Sequence, residues 1–233
     1  MSANKEQKLV KAIDPKDPVY RYMPAEYAVE ALQTNALKIG RISELNDPYD
    51  CRPHIEDGDS HGALEASILQ ERHGIISFSR QISDPVIWSH YADRHRGVAL
   101  EFDISRIGAP CYSMCYTNKR PSVMKELIND PDYRENNVTQ TIIAKFSNKA
   151  KSWEYEDEVR IFPFLGGKAM VGRNYFWGIP KGALQAVILG EDCSLNWFDI
   201  QNAVKTQPSI CNSIPVFRCA KNSESFVMDV TSV

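Results

Sequence analysis

The sequence has no long apolar run. Nowhere do about 18 apolar residues stand together, which excludes a helix that crosses a bilayer. The opening "MSANKEQKLVKAID" lacks the apolar centre of a secretory signal peptide. An excess of one charge is also missing, since 27 Lys and Arg face 30 Asp and Glu for a net charge of −3. A soluble, cytoplasmic protein with no strong field toward nucleic acid or anionic membranes is therefore expected.

Metal and cofactor motifs are absent as well. None of the six cysteines forms a CxxC pair, and Cys111 and Cys115 have no second pair at zinc-finger spacing. The pattern predicts free thiols in a reducing compartment and no metal site. The sequence also lacks GxGxxG, a Walker loop and GxSxG, so it does not support the familiar nucleotide and hydrolase folds.

What is present favours an ordinary globular domain. Hydrophobic residues make up 43% of 233 residues, enough for a sizeable core. We expect a polar lead-in over 1–18 and one α+β domain over 19–233, with a helical insert at 122–150. Its sheet or sheets should be mixed, mostly antiparallel and flanked by helices.

The periodicity predicts individual elements. Strands are expected at "VYRYM" (19–23), "ALKIGRI" (36–42), "IISFSR" (75–80), "VALEFDI" (98–104), "LQAVILG" (184–190) and twice near the end of the chain. Four helices are expected. The first begins at Pro24 and ends near Asn35, and the second spans 62–74 and ends at Gly74. The third spans Asp84–Gly97, and the fourth covers "NWFDIQNAVKT" (196–206).

The run "KSWEYEDEVRIF" (151–162) carries an acid at every second position. If it is extended, Glu154, Glu156, Glu158 and Arg160 share one face, while Val159 and Ile161 enter the core. Two interpretations follow. The acids and Arg160 neutralise one another, or Glu156 and Glu158 form the floor of a polar cleft.

The predicted helix Asp84–Gly97 places Trp88, Tyr91 and His95 on one face and His90 on a neighbouring polar stripe. The face is typical of an aromatic core, and the alternative is that Tyr91 or His90 lines a pocket.

The loop "ELNDPYD" offers Asn46, Asp47 and Asp50. Such residues commonly make turns with their own backbone, and the alternative is that they bind ribose hydroxyls or a metal.

Polar groups also lie on two other predicted strands. Arg21 could grip a phosphate or carboxylate with a forked hydrogen bond. Ser77 or Ser79 could orient an amide or ribose, and a strand carboxylate could stabilise the positive charge that develops as a glycosidic bond breaks.

The segments "YRYM", "ALKIGRISELNDPYD", "GIISFSR", "DPVIWSHYADRHRGVALEFD", "WEYEDEVRI" and "LQAVILG" follow one another as in a mainly bacterial family, domain of unknown function 2971. This resemblance spans about Tyr20 to Val230. The order of arginine, serine and paired glutamate on strands also resembles ADP-ribosyltransferase folds, including those of toxin–antitoxin systems.

The second resemblance implies roles. Arg21 would hold the NAD pyrophosphate or adenosine ribose, Ser77 or Ser79 the nicotinamide ribose, and Tyr91 would stack on the nicotinamide. Glu158 or Glu156 would stabilise the oxocarbenium-like centre.

The function implied is an NAD-consuming ADP-ribosyltransferase or NAD glycohydrolase of toxin or phage-defence type. It would act on a nucleic-acid or protein acceptor and could pair with an antitoxin-like partner. The alternatives are a non-catalytic module that binds a nucleotide or partner through the same face and, third, a metal-dependent nuclease.

Overall fold

A computed structural model describes residues 17–52, 54, 63, 67, 68, 70–120, 146–166, 170–205 and 213–233. The fold is α+β, as the sequence predicts, with an eleven-stranded and mostly antiparallel sheet, a separate two-stranded sheet and few helices. Among the described residues, no helix is long and apolar enough to cross a membrane.

The described residues form thirteen strands, with short helices between some of them. The first seven are β1 (Pro18–Met23), β2 (Ala36–Arg41), β3 (Gly74–Ser79), β4 (Val98–Asp103), β5 (Tyr112–Ser113), β6 (Cys115–Thr117) and β7 (Asn148–Ala150). The others are β8 (Glu158–Ile161), β9 (Met170–Val171), β10 (Asn174–Gly178), β11 (Leu184–Leu189), β12 (Val216–Lys221) and β13 (Met228–Ser232). The α-helices of the described residues include α1 (Ala25–Thr34), α2 (Pro85–Tyr91) and α3 (Trp197–Val204), and 3-10 helices cover Ile42–Glu44, Ile104–Arg106 and Lys151–Glu156.

The main sheet has the strand order β13-β12-β11-β4-β1-β3-β2-β10-β9. β8 pairs with β3 along the edge opposite to that used by β1 and β2, and it also pairs with β5. β11 and β12 run parallel, as do β6 and β7 of the small sheet, and the other pairs are antiparallel.

The sheet forks at β3. β8 follows one edge of this strand, and the bridge from His73 to Phe164 continues the same register. On the opposite edge β1 pairs only at Ser79, whereas β2 pairs at Gly74 and Ile75. β1 and β2 therefore diverge along the middle of β3.

Helices cover both faces of the sheet. α1 and α3 pack their buried residues into the larger apolar core. α2 buries Ile87 and Trp88 in a second cluster on the other face, against Tyr22 of β1 and Ala99 of β4. Side chains alternate between the two faces of each strand, so the sheet presents apolar residues to a helix layer on either side.

Local signals account for the helix ends. Asn35 adopts a left-handed conformation after α1, with φ 52°, and so ends that helix as expected. The Asp84 side chain accepts a hydrogen bond from the Val86 amide and begins α2. Asn196 and Asp199 form a reciprocal cap at the start of α3.

Three sequence predictions are wrong in part. The run 151–156 is a 3-10 helix, and extension begins only at Glu158, because Asp157 takes a left-handed turn with φ 41°. The helix predicted for Asp84–Gly97 ends at Tyr91. Gly74 does not close a helix but is the first residue of β3, where a side chain would meet Ile39 Cγ2 at 2.2 Å.

Two predicted segments lie mostly outside the described residues. These are the lead-in 1–18, of which Pro18 is already part of β1, and the insert 122–150. The described end of that insert contains a strand, β7, where a helix is expected from the sequence.

Candidate functional site

A cluster of charged side chains is buried on one face of β3 and β8. The antiparallel register pairs Ser77 with Arg160 and Ser79 with Glu158, so these four side chains share that face. Val159 and Ile161 on the opposite face enter the main apolar core, as predicted.

Arg160 is the centre of the inner half of the cluster. Its guanidinium group donates to Asp50 Oδ1 at 2.8 Å and Oδ2 at 2.6 Å, and to Glu158 Oε1 at 2.7 Å and Oε2 at 2.8 Å. Two forked pairs of this kind hold a planar cation in one orientation. Asp50, which lies in a predicted turn, is therefore a partner of Arg160 across the fold.

Lys149 of β7 is the centre of the outer half. Its ammonium group donates to Glu156 Oε2 and to Glu158 Oε2, the latter at 3.0 Å, and lies 3.9 Å from Asp50 Oδ2. The ring of Trp153 covers it, with 5.0 Å between Nζ and the ring centroid. Burial would lower the pKa of Lys149, but Glu158 and Glu156 together raise it.

Glu156 is the last residue of the 3-10 helix and is 4% exposed. One carboxylate oxygen accepts from Lys149 and the other from the Tyr91 hydroxyl of α2. Burial raises the pKa of Glu156; Lys149 opposes the rise and the nearby Glu158 adds to it.

Glu158 behaves in the opposite way although it is equally buried, at 5% exposure. Burial would raise its pKa, but Arg160, Lys149 and a hydrogen bond from the Ser77 side chain together lower it to about 2. The pKa values of these two acids, two residues apart, are thus shifted in opposite directions, because of the two only Glu158 contacts the guanidinium group of Arg160.

Ser77 and Ser79, both predicted site residues, make hydrogen bonds within the cluster. The Ser79 hydroxyl donates to the Glu156 carbonyl oxygen and accepts from the Gln81 amide at 2.9 Å. It thereby ties the end of β3 to the 3-10 helix that carries Glu156.

Arg21 lies where the sheet forks. Its Nη1 donates to the Ser77 carbonyl oxygen at 2.8 Å, in the stretch of β3 between β1 and β2. Burial lowers the pKa of Arg21, an effect that Glu158 partly opposes.

The remaining predicted residues are outside the cluster's hydrogen-bond network as described. His90 is exposed at the end of α2, with its ring centroid 6.1 Å from that of Tyr91. Asn46 and Asp47 make local turns: Asn46 Oδ1 accepts from the Asp47 amide at 3.1 Å, and Asp47 Oδ1 from the Tyr49 amide at 2.8 Å.

The predicted polar cleft is closed in this structure. Glu156 and Glu158 are both buried: Lys149 contacts the two carboxylates, Tyr91 contacts Glu156, and the Trp153 ring covers Lys149. Across the described ranges, no group of three or more His, Cys, Asp and Glu side chains is arranged to hold a metal ion. Instead, the two cations lie between the carboxylates.

Two members of the cluster, Lys149 and Asp50, have contacts that the sequence analysis does not predict: Lys149 is not among its site residues, and Asp50 is assigned to a turn or to a ribose or metal site rather than to Arg160. Lys149 lies in the polar stretch "SNKAKSW", where no periodicity distinguishes it from Lys151. Asp50 meets Arg160 across 110 positions of sequence. The one available signal is the acidic row itself, whose charges require buried cations if it is buried.

The comparisons with known proteins agree with the first resemblance. A family described as "Protein of unknown function (DUF2971)" matches residues 87–161, which include Tyr91, Lys149, Glu156, Glu158 and Arg160. No curated protein and no solved structure matches the chain. The family match thus includes Lys149, Arg160 and both glutamates of the cluster but leaves Arg21, Asp50 and β3 outside it.

Proposed function

We propose that this chain consumes NAD, transferring ADP-ribose to a macromolecule or to water, with Glu156 as the reacting carboxylate. The observation that carries the proposal is the contrast between the two glutamates. Glu158 is fully engaged by Arg160, Lys149 and Ser77. Among the described residues, the side chains that hold the Glu156 carboxylate by hydrogen bonds are Tyr91 and Lys149, at the outer side of the cluster.

The chemistry uses an ionised carboxylate. The bond between C1′ of the nicotinamide ribose and the ring nitrogen breaks, and its electron pair leaves with nicotinamide. Glu156 stabilises the oxocarbenium-like centre that remains at C1′, as carboxylates do in glycoside hydrolysis. The oxygen of water or of an acceptor hydroxyl then bonds to C1′, and its proton passes to Glu156.

The other predicted residues take roles consistent with their contacts. Arg21 binds the pyrophosphate, because only one of its donor groups makes a hydrogen bond among the described residues and the side chain is half-buried at the fork. Ser77 and Ser79 position the two glutamates rather than the ribose. Tyr91 releases Glu156 and packs against the nicotinamide ring.

Substrate entry requires a side-chain rearrangement. Glu156 is 4% exposed, so NAD reaches it only when Tyr91 and Trp153 rotate away. Rotamer changes of partly exposed aromatic side chains are local and leave the sheet and the Arg160 pairs in place.

The test is incubation of the purified chain with NAD, with and without cell lysate as a source of acceptor, while nicotinamide release is followed by chromatography. Glu156→Gln should lower release at least about a hundredfold, the scale at which a stabilising group at the reacting centre contributes. Glu154→Gln is the matched control, because Glu154 is exposed in the same 3-10 helix. Absence of release from the wild-type chain, or equal release from Glu156→Gln, contradicts the proposal.

A second candidate is a non-catalytic module that binds a nucleotide or partner. The observation in its favour is the closure of the cluster, in which Arg160 and Glu158 satisfy each other and need no ligand. This candidate predicts that calorimetry detects binding of NAD or another nucleotide while no nicotinamide is released. Charge reversal Arg21→Glu should then abolish binding.

A further inference from the structure

Lys149 occupies a central position among the three carboxylates of the cluster. It contacts Glu156 and Glu158 directly and lies 3.9 Å from Asp50 Oδ2. Asp50 and Glu158 also have Arg160, whereas Lys149 is the one cation that the described residues bring into hydrogen-bond contact with Glu156. The charge balance of Glu156 therefore depends on Lys149 far more than that of the other two acids.

The ammonium group is held in place from several sides. Its side chain is 7% exposed, the Trp153 ring covers it, and two carboxylates accept its hydrogens. A lysine restrained in this way acts as a fixed charge, because its flexible stem has already lost its rotamer freedom.

Groups from every neighbouring element face Glu156. They are Tyr91 from α2, Lys149 from β7, Tyr116 from β6, Glu158 from β8 and Tyr155 from the same 3-10 helix. Arg160 and Asp50 lie one contact farther away, against Glu158 and Lys149. At neutral pH the tyrosines are uncharged, so Lys149 and Glu158 are the two charges with the strongest direct effect on Glu156.

We propose that Lys149 is a positioning residue, whose ammonium group fixes the Glu156 carboxylate and sets the pH at which that carboxylate loses its proton. The inference rests on the proposed function for its consequence in catalysis, where an ionised Glu156 is required. The effect of the Lys149 ammonium group on the protonation of Glu156 does not depend on NAD.

The experiment measures both parts separately in the full chain. Carboxyl-carbon NMR of ¹³C-labelled glutamate gives the titration midpoint of Glu156, whose signal is identified by its absence in Glu156→Gln. The midpoint should rise by at least about one pH unit in Lys149→Gln and change little in Lys149→Arg, which retains the charge. The acid limb of NAD turnover should move to higher pH by the same amount in Lys149→Gln.

A purely structural role for Lys149 would lower stability without moving the midpoint, and an unchanged midpoint in folded Lys149→Gln overturns the inference. If this variant does not fold, Lys149→Gln is introduced into the Glu158→Gln background, and the two Glu158→Gln variants are compared with each other. The Glu156 midpoint should be higher in the double variant than in Glu158→Gln alone, and equal midpoints overturn the inference. If the wild-type chain releases no nicotinamide, the proposed function fails while the NMR titration still decides the role of Lys149.

Discussion

At the scale of single residues, contact with one cation, Arg160, determines whether the pKa of a buried glutamate in the cluster is raised or lowered. Glu156 and Glu158 are both buried, yet only Glu158 is paired with Arg160. Isolated burial favours the neutral form of a carboxyl group, and a close cation favours the charged form. The opposite pKa shifts of the two residues follow from this difference.

Glu158 should govern part of the acid sensitivity of the fold. Its pKa is lowered from 4.5 to about 2 in the folded chain. A lowered folded-state pKa contributes stability that is present above the unfolded value and is lost as pH falls through the folded value. The free energy of unfolding of the wild-type chain should therefore fall between about pH 4.5 and pH 2, and by clearly less in Glu158→Gln.

Chemical denaturation at half-unit pH steps measures this slope. Glu154→Gln is the control, because the exposed Glu154 lacks these buried partners. Equal slopes for the wild-type chain and Glu158→Gln would show that Glu158 is not the titrating group.

At the scale of elements, the segment after α2 has an uncommon backbone. Asp93, Arg94 and His95 are consecutive residues with positive φ, at 44°, 56° and 67°. Side chains other than glycine pay about 1–2 kcal/mol each in the left-handed region. The segment ends at Gly97, where a side chain would meet the Met23 carbonyl oxygen at 2.3 Å.

Arg94→Gly should stabilise the fold by about 1 kcal/mol relative to Arg94→Ala, because glycine adopts the left-handed conformation without strain. Both variants remove the same exposed side chain, so their difference reports the backbone alone. Urea unfolding measures both free energies. A stability difference of zero or of the opposite sign would mean that the turn carries no strain.

At the scale of the whole molecule, the sheet order should determine local stability. β4 lies between β1 and β11, whereas β13 is an edge strand. Backbone amides in central strands open only with large parts of a fold, while edges open locally. Hydrogen exchange should therefore be slowest in β4 and β11 and at least about tenfold faster in β13. Comparable protection of β13 would indicate that another chain covers this edge.

Much of the fold could be predicted from the sequence, because strands such as "VALEFD" and "LQAVIL" carry their own pattern. The site was predictable only in part. The alternating acids favour a strand, and no local pattern marks the 3-10 helix over Lys151–Glu156 or the left-handed Asp157 that follows it. The pairing of Asp50 with Arg160 depends on tertiary contacts between segments 110 positions apart, which no local pattern encodes.

The carbonyl groups of the segment between β3 and α2 connect it to β1, α2 and β13. The carbonyl oxygen of Gln81 accepts from the Tyr22 hydroxyl, that of Ile82 from Trp88 Nε1 at 2.7 Å, and that of Ser83 from the Met228 amide at 2.8 Å. Since carbonyl groups are common to all residue types, this connection depends on its length more than on its composition. Substitutions at position 83 should be tolerated during evolution, and position 82, whose side chain packs against the second apolar cluster, should accept other apolar residues. An insertion or deletion of one residue would displace all three acceptors at once.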